Sequence, residues 1–571
     1  MIADASFLKS LFCGIIPESM AFPFPGPSRA EAEETLAILD TLKRFMRTVY
    51  EPQRGSLDSP ISQEILTQAA SLGLFGLSLP RAYGGRQLSP TSFARILQEL
   101  GAIDPSLALI VRAHQTLGAH PLVRHGTVGQ KARWLAKMAS GQALAGYALT
   151  EESAGSDAAG VRTYARSEGT NWVLDGKKIW VTNGPIASVF TVFARTSPVE
   201  EGIKPKLTAF VIDRDDGIIT NAGINMHGVR GVQVGTLLLE NVHLDASRVL
   251  GTVGQGFMIA VETLNHARLA SASAASGSAR QLLDLSIRYA RERAAFGRAI
   301  GDFGLIKDKI ASMLSEVFAL ESMVFLTTGM LDGDGADCSI ESAACKVFGS
   351  EVLQRVAEGA GAIAAGSGFA SGHAVERGIR DARHHLVLDG TNEVLRAFIA
   401  LSGMQAPGRD LANVVKAMRE PIKGFGLLGE FAVRKAKSAL GRERLTRVHP
   451  LLNREVVLFE DYVSDLAKNA EKMLRRHGVA IAEMQYSQRR VADLAIDLYA
   501  LAAVLSRTSR AIERRGEEGA RREVDLACIF AANAEKRMAA NVAGFDKNDD
   551  EQRKNAAARA YQDGAYPFEL F

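Results

Sequence analysis

At 571 residues the chain has room for three or four domains, and 47% apolar against 23% charged residues is ordinary globular composition. This excludes a disordered chain, a collagen-like repeat and a small disulfide scaffold. Lys plus Arg at 67 against Asp plus Glu at 64 leaves a net charge of +3, too balanced for a general grip on nucleic acid. No run reaches the roughly 18–20 uninterrupted apolar residues expected of a membrane-spanning helix. The N-terminus carries Asp4 and Glu18, has no arginine before Arg29, and reads as neither secretory signal nor transit peptide. Cys13, Cys338, Cys345 and Cys528 form no Cys-x-x-Cys pair, which points to a reducing compartment; Cys338 and Cys345 read as small buried apolar residues.

After the Pro-rich FPFPGPS at 22–28, apolar residues recur at helical spacing (Leu36, Leu39, Leu42, Phe45 and Met46, then Ile65, Ala69 and Leu72), so residues 1–145 read as a helical domain. From 146 to 256 short β-rich runs with Gly and Asn between them, such as NWVLDGKKIWVTNG and LTAFVIDRDDG, predict a β domain. Helical spacing returns at Phe257. The small-residue run LASASAASGSA at 269–279 lacks proline and leads into a Leu-rich pattern, which predicts a helix packed closely on its neighbours. Residues 257–408 therefore form a helical domain, and the break SGMQAPGRD precedes a charge-rich helical region, 409–571. Within it, basic residues outnumber acids eleven to four over 409–454, interleaved with Ile422, Phe425, Leu428 and Phe431, a pattern suited to an anionic interface. There is no metal-ligand cluster; His384 and His385 read as surface histidines at a helix end.

Two segments carry chemistry. Tyr147 to Asp157 (YALTEESAGSD) sets hydroxyls beside small residues that let a ligand approach the backbone, and Trp180-Val181-Thr182-Asn183-Gly184 offers an aromatic plane and a hydroxyl on a neighbouring strand. Leu-Thr-Glu-x-x-x-Gly-Ser-Asp followed at this interval by Trp-x-Thr-Asn-Gly resembles the acyl-CoA dehydrogenase family. The resemblance continues through Gly228-Val229-Arg230-Gly231, Gly254-Gln255-Gly256-Phe257, Arg268, Arg291-Glu292-Arg293-Ala294-Ala295-Phe296-Gly297 and Asp389-Gly390-Thr391-Asn392-Glu393. It covers almost the whole chain, and the last 160 or so residues resemble the very-long-chain branch.

The resemblance implies an α+β fold: an N-terminal helical domain, a middle β-barrel, a four-helix bundle and an extra C-terminal helical domain. It implies FAD, held by Tyr147, Leu149, Thr150, Gly155, Ser156, Trp180 and Thr182. Arg293 and Phe296 are implied to reach the FAD of a second subunit in a homodimer, the backbone at Gly366 to pass the FAD adenosine diphosphate, and Thr391 and Glu393 to sit near the cofactor. Long-chain acyl-CoA is the implied substrate, an electron-transfer flavoprotein the acceptor, and the placement cytoplasmic, with peripheral contact at an inner membrane (its matrix face in a eukaryote) through 409–454. Small residues around Gly118 are expected to leave room for the chain.

The chain departs from the family's pattern in three places. Ala362 and Ala365 stand where it has Gln and Gly, Glu152 where it has Pro, and Asp389 where it has the glutamate that removes the Cα proton. Asp389, with Arg268 beside it, is the one candidate base. Two functions follow: FAD-dependent α,β-dehydrogenation of acyl-CoA, or a flavin- or acyl-CoA-binding member with impaired dehydrogenation and a binding or assembly role.

Overall fold

The computed structural model describes residues 6–197, 206–333, 336–407 and 444–569. Two compact units emerge, one built on Ala21–Leu395 and the other on Phe7–Met20 and Arg396–Phe571.

In the first unit the helices begin where the side chains cap them. Ser28 accepts from Glu31 N–H at the start of α1 (Arg29–Phe45), and Ser89 does the same for Ser92 before α2 (Pro90–Ile103). Asp104 caps α3 (Pro105–Arg112), accepting from the N–H groups of Ser106 and Leu107. Beyond Arg112 the helix widens into a π-helical stretch, Ala113–Ala119. Such bulges interrupt the regular i→i−4 ladder and re-aim the side chains beside them.

The β domain is an eight-stranded sheet: β1 (Ala145–Ala148), β2 (Tyr164–Glu168), β3 (Asn171–Thr182), β4 (Val189–Arg195), β5 (Leu207–Asp213), β6 (Ile219–Ala222), β7 (Val234–Leu244) and β8 (Val249–Leu250). Its order is β6-β7-β3-β2-β4-β5-β8, with β1 running parallel to β4. Alternation along β4 and β5 fills both faces. Val189, Phe193, Ala209 and Val211 pack with Trp134, Leu135 and Met138, whereas Phe190, Val192, Phe210 and Ile212 meet Leu237, Leu239 and Val242.

The small-residue run lies, as its composition predicts, inside a long helix, α4 (Gly256–Glu292), and is buried from Ala267 to Ala279. A Cβ added at Gly277 would stand 1.8 Å from the Gln98 carbonyl oxygen of α2, and one at Gly101 would stand 2.2 Å from that of Ala274. Polar side chains bridge the same seam: Gln98 Nε2 donates to Ser276 Oγ at 3.2 Å and Ser278 Oγ to the Gly101 carbonyl at 2.7 Å. A short hairpin follows α4, β9 (Ala294–Ala295) with β10 (Arg298–Ala299), and then α5 (Gly304–Asp332) and α6 (Ser339–Phe369). By length and a mean hydropathy of 1.5, α5 is apolar enough to cross a membrane, which the search for uninterrupted runs does not reveal; 61% of that window is buried inside the protein. Cys338 and Cys345 are buried.

After α6 come α7 (Ala374–Ala382), the single turn α8 (His384–Val387) and α9 (Asn392–Gly403). In the second unit α10 (Asn453–His477), α11 (Gln485–Gly519) and α12 (Arg521–Ala543) pack together. A two-pronged ion pair from Arg537 to Asp497, at 2.6 and 3.1 Å, ties α12 to α11. The N-terminal Phe7–Met20 belongs here too: the Phe7 ring meets that of Tyr499 at 5.9 Å. Most of the basic stretch 409–454 lies outside the described residues.

Gly277→Ala should lower the unfolding free energy by about 2–3 kcal/mol, because its methyl meets rigid backbone. Gly129→Ala, with nothing within 4 Å, should leave stability unchanged or raise it by up to about 1 kcal/mol. Urea titrations of the two variants beside the wild type read the difference.

Candidate active site

Asp389 sits in the link between α8 and α9 with φ of +59°, followed by Gly390 at +104°. Aspartate is among the few side chains that enter this left-handed region readily, and glycine follows where only glycine is comfortable. Lys346 of α6 pins the turn: its Nζ donates to the carbonyls of Leu386 (3.2 Å) and Gly390 (2.6 Å) and to Asn392 Oδ1 (2.9 Å). Burial pushes the Lys346 ammonium down to about 7, against the attraction of Asp389.

The Asp389 carboxylate is turned to Arg112, whose Nη1 donates to Oδ2 at 2.5 Å; the two side chains are 3% and 1% exposed. The same Nη1 reaches the Ala267 carbonyl at 3.2 Å. Arg268 Nε donates to the main-chain oxygen of Asp389 at 3.2 Å, and burial lowers this guanidinium to about 10, with Asp389 and Tyr147 acting the other way. In this group Arg112 Nη2 and the Tyr147 hydroxyl are buried donors with no hydrogen-bond acceptor among the described residues. Burial first, then Asp389, raises the Tyr147 phenol, so it stays protonated.

Lys178 of β3 fixes the segment after β1. Its Nζ donates to the Leu149 carbonyl at 3.0 Å and pairs with Glu151 at 2.7 Å. Burial alone would raise the Glu151 carboxyl, but Lys178, Thr163 and the Arg162 N–H outweigh it and hold it low. Thr150 is tied through its carbonyl to Ile179 N–H at 2.9 Å, while Gly155 and Ser156 are exposed. A register shift between Lys178 and Val181 gives Trp180 a φ of +58° and leaves its side chain half out of the sheet, 50% exposed. Thr182 next to it is buried.

The structure thus gathers Tyr147, Arg268 and Asp389 into one buried group, and sets Leu149, Thr150, Gly155, Ser156, Trp180 and Thr182 along β3 and the segment after β1. Arg293 and Phe296 stand exposed on the β9–β10 hairpin, where Phe296 is 96% exposed, and Gly366 is exposed late in α6. Thr391 accepts from Val394 N–H at the start of α9, with Glu393 exposed beside it. Just before Gly366, Ala365 has φ +49° and ψ −131°, backbone suited to the glycine it replaces.

One expectation needs correction: His384 and His385 are not surface residues. They are buried with rings 3.9 Å apart; His384 Nδ1 pairs with the Asp381 carbonyl and His385 Nδ1 with Ser271 Oγ, and burial lowers both, His384 to about 4. Gly118 itself packs against β1, where a Cβ would lie 2.4 Å from that of Ala145. Arg112, Lys346 and Lys178 are site residues that the sequence reading passed over. Arg112 gives a partial signal, as the one charge in the apolar segment PSLALIVR.

Residues 32–142, 146–242 and 254–404 match the N-terminal, middle and C-terminal domains of acyl-CoA dehydrogenases, and 450–563 the ACAD9/ACADV C-terminal domain. The very long-chain specific acyl-CoA dehydrogenase of Macaca fascicularis mitochondria is 35% identical over 541 residues, spanning 92% of this chain and 82% of that protein. This chain belongs to the acyl-CoA dehydrogenase family. The probable acyl-CoA dehydrogenase FadE10 of Mycobacterium tuberculosis is 31% identical over 563 residues, 94% of this chain and 85% of that one. Among solved structures, an acyl-CoA dehydrogenase of Bacillus anthracis complexed with FAD superposes with a TM-score of 0.81 at 28% identity, covering 99% and 97% of the two chains.

His114, in the π-helical stretch, anchors β1 as a neutral ring: Ala145 N–H donates to Nδ1 at 3.0 Å, so Nε2 carries the hydrogen facing the Met138 carbonyl. Burial lowers it to about 4. The unfolded chain takes up this proton near pH 6.5 and the folded protein only near pH 4, so its contribution is full above pH 6.5 and is lost as pH falls through that window. The loss is on the order of 3 kcal/mol. Unfolding free energy followed from pH 7 to 4 should fall less steeply in His114→Gln than in the wild type. Ala365→Gly should stabilise by about 1 kcal/mol, read by thermal melting, because it relieves a conformation that costs an L-residue about 1–3 kcal/mol.

Proposed function

We propose that this protein is a homodimeric FAD enzyme that oxidises an acyl-CoA thioester to the trans-2-enoyl thioester, with Asp389 as the base and an electron-transfer flavoprotein as acceptor. The observation that carries this reading is the turn that presents Asp389 among Arg112, Arg268 and Tyr147, within the same unit as the Thr150–Ser156 segment and the outward Trp180.

The residues present fit FAD. Trp180 offers a half-open aromatic face, Thr150, Ser156 and Thr182 bring hydroxyls, and no atom lies within 4 Å of a Cβ built on Gly155. Tyr147, Leu149, Thr150, Gly155, Ser156, Trp180 and Thr182 would hold the flavin portion. From a second copy, exposed Arg293 and Phe296 suit a pyrophosphate and an adenine face, with Gly366, Thr391 and Glu393 near the cofactor. When bound, FAD supplies the acceptor for the hydride that leaves Cβ.

Asp389 takes the Cα proton as the Cα=Cβ bond forms. The base must be within hydrogen-bond reach of that carbon, and Lys346 and Arg268 hold its main chain to this task by fixing the carbonyls of Gly390 and Asp389. Burial of the carboxylate excludes water from the proton transfer. Arg112 holds the same carboxylate from the side, so it must yield some of that contact before Asp389 reaches substrate. This favours a slow dehydrogenase, and at its limit a member that binds acyl-CoA with little turnover.

Protein purified without denaturation should be yellow and release FAD, and Arg293→Ala should lose FAD more readily while melting at nearly the wild-type temperature. Anaerobic acyl-CoA should bleach the bound flavin of the wild type, and Asp389→Asn should keep the flavin, bind the thioester and bleach it at least about a hundredfold more slowly. Colourless protein that takes up no FAD on reconstitution would defeat the assignment.

A further inference from the structure

A cavity of about 190 Å³ opens among α2, α4, α5 and the π-helical stretch after α3. Leu88, Phe93, Ala94, Leu269, Ala270 and Leu331 give it an apolar wall. It starts beside the group around Asp389: Thr116, one turn past Arg112, donates to the Arg112 carbonyl at 2.9 Å, and Leu269 and Ala270 follow Arg268 directly. By the measure of a roughly 150 Å³ cavity that accepts benzene, it holds about six to eight carbon atoms of a chain leading from there.

Most polar atoms on that wall are spent on the protein. Gln115 Oε1 accepts from the Ser78 N–H and Oγ at 2.8 and 3.1 Å, Ser273 Oγ donates to the Leu269 carbonyl at 2.8 Å, and Thr328 Oγ1 accepts from Thr91 at 3.0 Å. His120 differs. Its Nε2 is buried with no hydrogen-bond partner among the described residues, and its ring centroid lies 4.0 Å from that of His266, which shares the wall. Burial, then His266, Arg124 and His125, hold His120 well below the ordinary imidazole value, and burial lowers His266 too, so both rings are neutral. A buried polar atom of this kind is seldom left unmet. An all-hydrocarbon chain filling the cavity would shut solvent away from Nε2 and return no partner. A carboxylate would need a proton on a ring that burial keeps neutral. A hydroxyl suits it, since it can donate or accept and so pairs with either tautomer.

We propose that the acyl group this site selects carries a hydroxyl on its distal part, received by His120 Nε2, in place of a plain alkyl end. The proposal rests on the function proposed above but adds the substrate class. His120 lies eight residues past Arg112, a span of roughly 12 Å at the helical rise and of roughly ten carbons in an extended chain, which puts the hydroxyl near the end of a medium-length acyl group. His120 is then the specificity-determining residue, and His266 supports its ring from the side.

The test uses the full-length FAD-loaded protein with decanoyl-CoA, its ω- and (ω−1)-hydroxy derivatives, and the mono-CoA thioester of sebacic acid. Calorimetry reads binding and flavin absorbance under anaerobic conditions reads reduction. One of the hydroxy thioesters should bind at least tenfold more tightly than decanoyl-CoA. His120→Leu should abolish or invert that preference, and His120→Gln, which keeps a hydrogen-bonding head, should retain part of it. Decanoyl-CoA bound as tightly as both hydroxy forms, or the dicarboxylic thioester bound tightest, overturns the proposal whatever the variants do, so a variant that fails to fold leaves the test intact. An unchanged preference in folded His120→Leu overturns it too. A preference for decanoyl-CoA with full bleaching would sink the hydroxyl assignment and leave the dehydrogenase standing. A hydroxyl preference in protein whose flavin no thioester bleaches would do the reverse.

Discussion

The first unit is organised around a buried ion pair between residues 277 apart in sequence, Arg112 and Asp389. Moving two charges out of water is expensive, and their mutual attraction compensates only where the remaining donors and acceptors are met. Much of the local structure supplies those partners. The Ala267 carbonyl of α4 takes a second bond from Arg112, Arg268 holds the main-chain oxygen of Asp389, and Lys346 fastens the turn from below through three acceptors. Helices α3, α4 and α6 therefore converge on one turn, with β1 adding Tyr147.

That convergence depends on how closely the helices approach. The run from Ala267 to Ala279 has small side chains, and the carbonyl of Gln98 lies where a methyl on Gly277 would go. A side chain at Gly277 would push α4 off α2. Because Ala267 and Arg268 open the same buried run, displacement there would also move the groups that hold Asp389. Packing and chemistry are thus one constraint: the absence of side chains on one stretch of α4 sets the position of the charged side chains at its start.

Much of this was legible in the sequence. The small-residue run without proline reads as a tightly packed helix, and the period-two runs read as strands because each face of the sheet is filled by alternate residues. The motif order marks Asp389, Trp180 and Thr150. Other features leave weaker traces. Arg112 ends an apolar helix, where a cation ordinarily sits in solvent and answers the helix dipole; only the fold discloses the carboxylate opposite. His384 and His385 read as a helix end, yet α8 is a single turn drawn inward, so both rings are buried. The apolar character of α5 escapes a search for unbroken runs because scattered polar residues interrupt a high mean hydropathy. The Phe7–Met20 segment shows no sign in sequence that it joins a unit built mainly from residues beyond 396.

The charges around Asp389 also bear on how proton removal proceeds. Before the reaction the carboxylate offsets part of the positive charge of Arg112, Arg268 and Lys346. As the proposed base, it would become neutral on taking the Cα proton, and Arg112 would lose the partner it was buried with. An uncompensated buried cation is the costly state of such a pair, so the proton transfer works against this ion pair unless negative charge arrives from elsewhere. Charge developing on the thioester oxygen supplies some of it, and only transiently.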